Sequence, residues 1–284
     1  MKHVRTATIV LALFVVLAAG WDASAPAPHA SAGRFDGNAA FESVRRQVAL
    51  GPRPAGSRAS RVLAERLRRT LPGGRFQAVP GGLRNVVGSV RGRDPKRFVV
   101  VGAHYDTKDI AGFVGANDGA SGTAVVTQLA HGIKPRRLRP TVVFVLFDGE
   151  ESPANAPVNE FARYGLRGSK VAARRYSKAE AMILLDFVGQ RNLRIPRELN
   201  SDPGVWRQLR AAAKRVGAGS AFPPGTAAGI LDDHTPFTRR GVASIDLIDF
   251  DYDCFHKVCD DLSQVSPRSL DATGETVREL LRTL

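Results

Sequence analysis

Asp118, Glu150, Glu151, Asp186 and Asp232, with His104 and His256, occupy positions where an α/β chain places its ligands. Thr141 to Phe147 is an unbroken run of β-branched, aliphatic and aromatic residues, and it leads into Asp148-Gly149-Glu150-Glu151. So short and apolar a run reads as a strand buried on both faces. Two adjacent glutamates at its end would be costly unless something positive lies among them. The arrangement recurs. Phe98 to Val101 leads into His104 and Asp106, Asp186 sits in Leu184-Leu185-Asp186-Phe187, and His256 follows the apolar stretch 243–250. Asp118 lies in the Gly-rich segment 115–122, and Asp232 opens a polar loop. In open α/β sheets the ligand site lies beyond the carboxyl ends of the strands. The pattern therefore predicts a cation site there.

Histidine and carboxylate ligands without thiolates suit zinc in an open, catalytic site, whereas acids alone would suit magnesium or calcium. A two-ion centre needs a bridging carboxylate and further ligands for each ion. The residues divide accordingly: His104 and Asp186 for one ion, Glu151 and His256 for the other, Asp118 between them. Asp106, two residues from His104, is expected to orient that imidazole. Neighbouring residues point in different directions. Of Glu150 and Glu151, one is expected to ligate and the other to face the substrate as general base and acid. A serine hydrolase is excluded by the lack of a Gly-x-Ser-x-Gly elbow, and a thermolysin-like protease by the lack of His-Glu-x-x-His.

Elements must hold these groups at one sheet edge. Helical patterns cover Ala39–Ala49, Ser60–Leu71 with Ser57 as cap, Ala120–Gly132, Leu166–Arg175, Asp202–Val216 and Ser266–Leu284. Strand patterns cover Phe76–Val79, Leu83–Val90, the segment from Arg97, Thr141–Phe147, Ala181–Val188 and Ala243–Phe250. Residues 152–165, rich in Pro and Asn, read as a loop over the site. Strands alternating with helices predict a three-layer α/β/α sandwich with a mixed, mainly parallel central sheet.

Of the 284 residues, 43% are hydrophobic and 24% charged, as in a globular protein. Residues 1–25 have a basic start, an apolar stretch from Thr6 to Gly20 and a small-residue cleavage pattern at Ala23-Ser24-Ala25. They read as a signal peptide. Residues 26–37 read as a flexible mature N-terminus, and 38–284 as a single catalytic domain. The expected location is outside the cell membrane or in the envelope, without stable membrane insertion after leader cleavage. The net charge of +14 comes from arginines scattered over helical segments. No basic patch interleaved with aromatics is present, which argues against nucleic acid as a partner. In an oxidising compartment Cys254 and Cys259 are expected to pair, closing a tight loop around His256.

Together these motifs resemble the zinc aminopeptidases of metallopeptidase family 28 and the glutaminyl-peptide cyclotransferases that share their fold. The resemblance rests on Gly51-Pro52-Arg53 with Gly56-Ser57, Gly102 to Thr107, Asn117 to Gly122, Glu150-Glu151, Leu185-Asp186, and His256 before Asp260. It implies His104, Asp118, Glu151, Asp186 and His256 as ligands of one or two zinc ions, Glu150 as general base, and peptide or protein N-termini as substrate. The segment from Asp232 to Val242, Phe113 to Ala116 and Phe147 to Glu151 look like the cyclase branch. There Asp232 matches an additional catalytic acid sharing protons with Glu150 and Asp186. The cyclases carry a tryptophan after the double glutamate and another before the last zinc histidine. Here residues 152–159 contain none, and the second position is Phe255. Phe255 and Tyr252 are expected to supply apolar walls. The segment Cys254 to Asp260 looks like the disulfide loop of secreted bacterial aminopeptidases. The reading favours a glutaminyl cyclase, with an aminopeptidase as the alternative and a non-catalytic ectodomain of the same fold as a third.

Overall fold

The computed structural model describes Met1 and residues 34–284. The expected leader, residues 1–25, apart from Met1, and most of the expected flexible stretch 26–37 therefore lie outside the described residues. The last part of that stretch is packed rather than flexible. Phe35 is buried over Gly274, and Asp36 caps α1 (Gly37–Val48), its carboxylate accepting from the Ala39 amide at 2.9 Å. A buried ring and a satisfied cap explain the order there. Ser57 caps α2 (Arg58–Thr70) in the same way.

A hairpin of β1 (Arg75–Val79) and β2 (Leu83–Val90) leads to β3 (Asp94–His104), α3 (Ala120–Gly132) and β4 (Pro140–Phe147). The helical turn α4 (Phe161–Tyr164) and α5 (Arg167–Arg175) precede β5 (Met182–Asp186). Next come β6 (Arg197–Glu198), α6 (Pro203–Arg215), β7 (Thr226–Ala227), the turn α7 (Thr235–Thr238), β8 (Ser244–Ile248) and α8 (Pro267–Thr283). The main sheet runs β1-β2-β4-β3-β5-β8. β4, β3, β5 and β8 are parallel, while β1 and β2 are antiparallel. β6 and β7, and the helical turns α4 and α7 inside segments read as loops, are too short for a sequence period to reveal them.

Side-chain alternation along the strands builds the three layers. Val99, Val101, Val142, Phe144, Leu146, Ile183, Leu185, Ile245 and Leu247 pack toward α1, α3, α6 and α8. Val100, Val143, Val145, Phe147, Met182 and Leu184 face Ala172, Ala173 and Phe237 of α5 and α7. Each such side chain contributes about 1.5–3 kcal/mol by leaving water. Truncating Phe144 alone would cost about 3–5 kcal/mol. The chain leaves β3 for β4 in one direction and β5 for β8 in the other. The loops after β3 and β5 therefore diverge, and a crevice opens at the strands' carboxyl ends.

Candidate metal centre and active-site cleft

His104 is the last residue of β3, Asp186 the last of β5, and Glu150 and Glu151 follow β4 by three and four residues. Asp118 comes from the turn before α3, and His256 from the loop after β8. Two ligand groups form among the described residues: His104, Asp118 and Asp186, and Asp118, Glu151 and His256. Asp118 belongs to both. Its Oδ1 lies 3.2 Å from His104 Nε2 and its Oδ2 lies 3.5 Å from His256 Nε2. Asp186 Oδ1 is 3.3 Å from His104 Nε2, and Glu151 Oε1 is 3.0 Å from His256 Nε2. The fold thus brings the expected residues together in two groups that share Asp118.

The donor set fits a cation. His104 Nδ1 lies 3.1 Å from the Asp106 backbone carbonyl, which can only accept. Nδ1 can therefore donate to that carbonyl, which leaves Nε2 facing two carboxylate oxygens, an arrangement that a bound cation would suit. Asp118 Oδ2 is buried without a hydrogen-bond partner. Zinc suits this mixture of imidazole and carboxylate.

The role expected of Asp106 needs correction. Its carboxylate lies 3.7 Å from His104 Nδ1, too far for a hydrogen bond. The carboxylate instead accepts the amides of Glu150 and Glu151, each at 3.2 Å. It therefore fixes the turn that presents the two glutamates, while its carbonyl orients the histidine. Gly149 makes that turn possible, since it has φ of 74° and an added Cβ would run into Leu83 and Arg167. Gly119, with φ of 88°, sits directly against His104 and the Asp106 carbonyl.

Three residues that sequence reasoning gave no role support the ligands. Asp260 accepts the Asn117 and Asp118 amides at 2.8 and 3.0 Å, pinning the bridging ligand. Arg53 is fully buried and donates to the carbonyls of Gln47, Gly51, Val114 and Gly115, and burial holds it down to about 10. Lys108 lies 3.0 Å from Glu151 Oε2 at the cleft edge. Arg53 and Asp260 stood in quoted motifs, but only burial shows what they do.

Cys254 and Cys259 are bonded, with Cα atoms 5.5 Å apart. The short loop holds His256 at φ of 51°, a conformation that a non-glycine residue adopts rarely. Phe255 stacks on the His256 ring, with centroids 3.9 Å apart.

The candidate ligands open into a cleft of about 440 Å³, lined by the acids Glu150, Asp186 and Asp232 and by the apolar residues Phe187, Ile230, Leu231, Phe250 and Phe255. Phe255 is an apolar wall, as expected. Tyr252 is not among the residues that line it: its hydroxyl donates to Asp260 at 2.6 Å, and its ring packs edge-on against Phe187. A phenol spends its polar end where an acceptor is available. Phe187 and Phe250 line the cleft in its place.

Electrostatics separate the acids. Burial and the neighbouring Glu151 push Glu150 well above the usual carboxylate range. Burial pushes Asp186 up to about 7 and raises Asp232 as well. Glu151 lies below its ordinary value: burial alone would raise it, but the bond to His256 and the Lys108 ammonium outweigh that. One glutamate thus favours the anion within a ligand group, and the other has a raised proton affinity at the cleft, as suits a group that takes up and returns a proton.

The comparisons agree with this geometry. The family described as Peptidase family M28 matches residues 85–281. The crystal structure of a glutaminyl cyclase from an Acidobacteriales bacterium superposes with a TM-score of 0.77 at 28% identity, covering 91% of this chain and 97% of that one. A leucine aminopeptidase precursor from Bacteroides thetaiotaomicron gives 0.79 at 25% identity, covering 89% and 99%. A probable zinc metalloprotease of Leptosphaeria maculans is 32% identical over 158 residues, which are 49% of this chain and 34% of that protein. The chain thus spans about a third of that relative's length. A family match over most of the folded residues, joined to a ligand set gathered at the strand ends, leads to one conclusion: the chain belongs to peptidase family M28.

Proposed function

We propose that this protein is a secreted, zinc-dependent enzyme acting at peptide N-termini, and that it is a glutaminyl-peptide cyclotransferase, closing N-terminal glutamine to pyroglutamate with release of ammonia. The observation that carries the cyclase reading is the group of buried acids facing the cleft, Asp186 and Asp232 beside Glu150. The substrate brings its own nucleophile, so the site must move a proton to departing ammonia and keep water out. Asp118, Glu151 and His256 would hold one ion, and His104 and Asp186, with the other oxygen of Asp118, a second. Zinc held there supplies Lewis acidity at the side-chain amide oxygen. The amine nitrogen attacks the amide carbon, and the carbon–nitrogen bond to ammonia breaks. Glu150 takes the proton from the amine and returns it to the leaving nitrogen. Asp232 and Asp186 support that exchange, while Phe187, Phe255 and Leu231 exclude water. The likeness to the Acidobacteriales glutaminyl cyclase supports this reading.

One observation favours an aminopeptidase instead. All five ligands meet in two groups that share Asp118, as a two-ion hydrolytic centre requires. The likeness to the Bacteroides aminopeptidase precursor supports that alternative. Secretion is supported by the disulfide, a bond of oxidising compartments. No helix among the described residues is long and apolar enough to cross a membrane.

Incubation with a Gln-initiated and a Leu-initiated peptide separates the readings. Ammonia release without chain shortening is the expected result. Free amino acid from either peptide would overturn the cyclase in favour of the peptidase, and neither product from zinc-loaded protein would point to the non-catalytic ectodomain.

A further inference from the structure

The cleft continues beyond its aromatic lining. Ile230, Ile248 and Phe250, which border it, also border a second cavity of about 370 Å³. Pro196, Pro223 and Pro224 wall that cavity further, together with both residues of β7. By contrast, the groove beside α6 and α8 and the basic hollow between α1, α2 and α3 share no residue with the cleft. Phe250 is the aromatic residue common to both spaces. Its ring packs against Phe187 and Phe255, with centroids 6.0 and 4.9 Å away, yet the residue is 46% exposed. A fixed apolar surface therefore runs from the cleft into the second cavity.

The walls of that cavity have little to offer a polar group. Its prolines carry no backbone N–H. Glu198 is fully buried, and its carboxylate already accepts the Asn200 and Ile230 amides at 2.9 Å each and the Ser201 hydroxyl at 3.0 Å. Asp249 is buried too, its Oδ2 accepting the Arg194 amide at 2.7 Å and the Gln190 side chain. Arg194 and Asp251 are exposed and opposite in sign, so they give the cavity no net preference for a charge. The walls reward apolar area that leaves water.

We propose that the second cavity is a specificity subsite for the substrate chain beyond its second residue, and that it selects an apolar side chain there. The proposal rests on the reading of this protein as an enzyme of peptide N-termini, and it holds for cyclase and aminopeptidase alike. In either reaction the first residue lies among the candidate ligands and acids, so the rest of the chain must leave the cleft. Two further residues carry an extended chain about 7 Å onward. That is enough to pass the ring of Phe250.

The probes are amides of Gln-Gly, Gln-Gly-Gly-Gly, Gln-Gly-Leu-Leu, Gln-Gly-Asp-Asp and Gln-Gly-Lys-Lys, with a Leu-initiated series in parallel. The Leu-tailed peptide should exceed the Gly-tailed one by about tenfold or more in kcat/KM, as burial of an apolar side chain allows. The Asp- and Lys-tailed peptides should stay within about threefold of the Gly-tailed one, since exposed charges count for little. Ala227→Trp fills the cavity with a residue that suits a strand. It should erase the gain from the Leu tail and leave Gln-Gly amide at its wild-type rate. Pro224→Glu, at an exposed loop position, should erase the same gain and favour the Lys tail instead. Equal kcat/KM across the wild-type series would overturn the proposal, as would an acidic or basic preference in wild type. A Leu preference that survives a folded Ala227→Trp or Pro224→Glu would overturn it as well. Calorimetry on Glu150→Gln reads the cavity without turnover. There the Leu-tailed peptide should bind about tenfold more tightly than the Gly-tailed one, and equal affinities would overturn the subsite. Wild-type protein that turns over neither series would sink the proposed function, and the two affinities would still decide the cavity.

Discussion

The front and the back of the cleft are built on opposite plans. At the front, four of the five candidate ligands are pinned from outside the ligand set. Asp118 hangs on Asp260, the Glu150-Glu151 turn on Asp106, His104 on a carbonyl, and His256 on a disulfide loop. At the back, Asp232, Asp246 and His234 have almost no hydrogen-bond partners, with Glu198 as the single anchor. The front is therefore a preorganised cradle waiting for charge. The back is a buried set whose oxygens and nitrogens have few protein donors.

That contrast can be broken at graded points. Asp118→Ala removes the residue common to both ligand groups. It should take activity to background and metal content near zero, read by turnover and elemental analysis; retained zinc would mean that the two groups are independent. Glu150→Gln should keep zinc and lose about 100–10,000-fold in kcat, the usual worth of general acid–base catalysis. Near-wild-type turnover would move that role elsewhere in the cleft. Replacing both cysteines with serine frees the His256 loop and should weaken zinc affinity by about 10–100-fold, as loss of a supporting partner does. A competition titration with an unchanged constant would show that stacking on Phe255 suffices.

The smallest effect concerns Asp148, just outside the contrast. Burial raises it to about 6. A carboxyl whose folded value lies above its unfolded value near 4 binds protons more tightly in the native state. Its contribution to stability is present below about pH 4, fades as pH rises to about 6, and stays lost above. Asp148→Asn should therefore raise neutral-pH stability by about 1–2 kcal/mol and flatten that part of the profile. Denaturation at pH 4 and pH 7 checks it, and a loss at neutral pH would show that the Arg84 amide needs the anion.

Several lessons on legibility follow from particular residues. The ligands were legible because each stands beside a strand or loop whose own pattern is strong. Glu150 and Glu151 follow an apolar run that no surface would carry. Asp106 was half legible, since spacing placed it near His104 but could not say which of its oxygens would be used. Tyr252 was misread as a wall because sequence shows its ring and not the Asp260 acceptor eight residues away. Phe187 was invisible as a wall, its direction being set by a left-handed backbone at φ of 47° just past β5.

By itself the sequence indicated the layered α/β architecture, the five candidate ligands at the strand ends and the pairing of the cysteines. All of these depend on local periodicity, strand ends and residue chemistry. Tertiary structure alone decided the aromatic lining, the supports at Asp260 and Arg53, and the buried grouping of Glu198, His234 and Asp246. The physical reason is distance along the chain. β6, the turn before α7 and β8 come together only through sheet pairing and helix packing, and burial, which makes an ordinary Asp246 or His234 costly and therefore informative, exists only once they have.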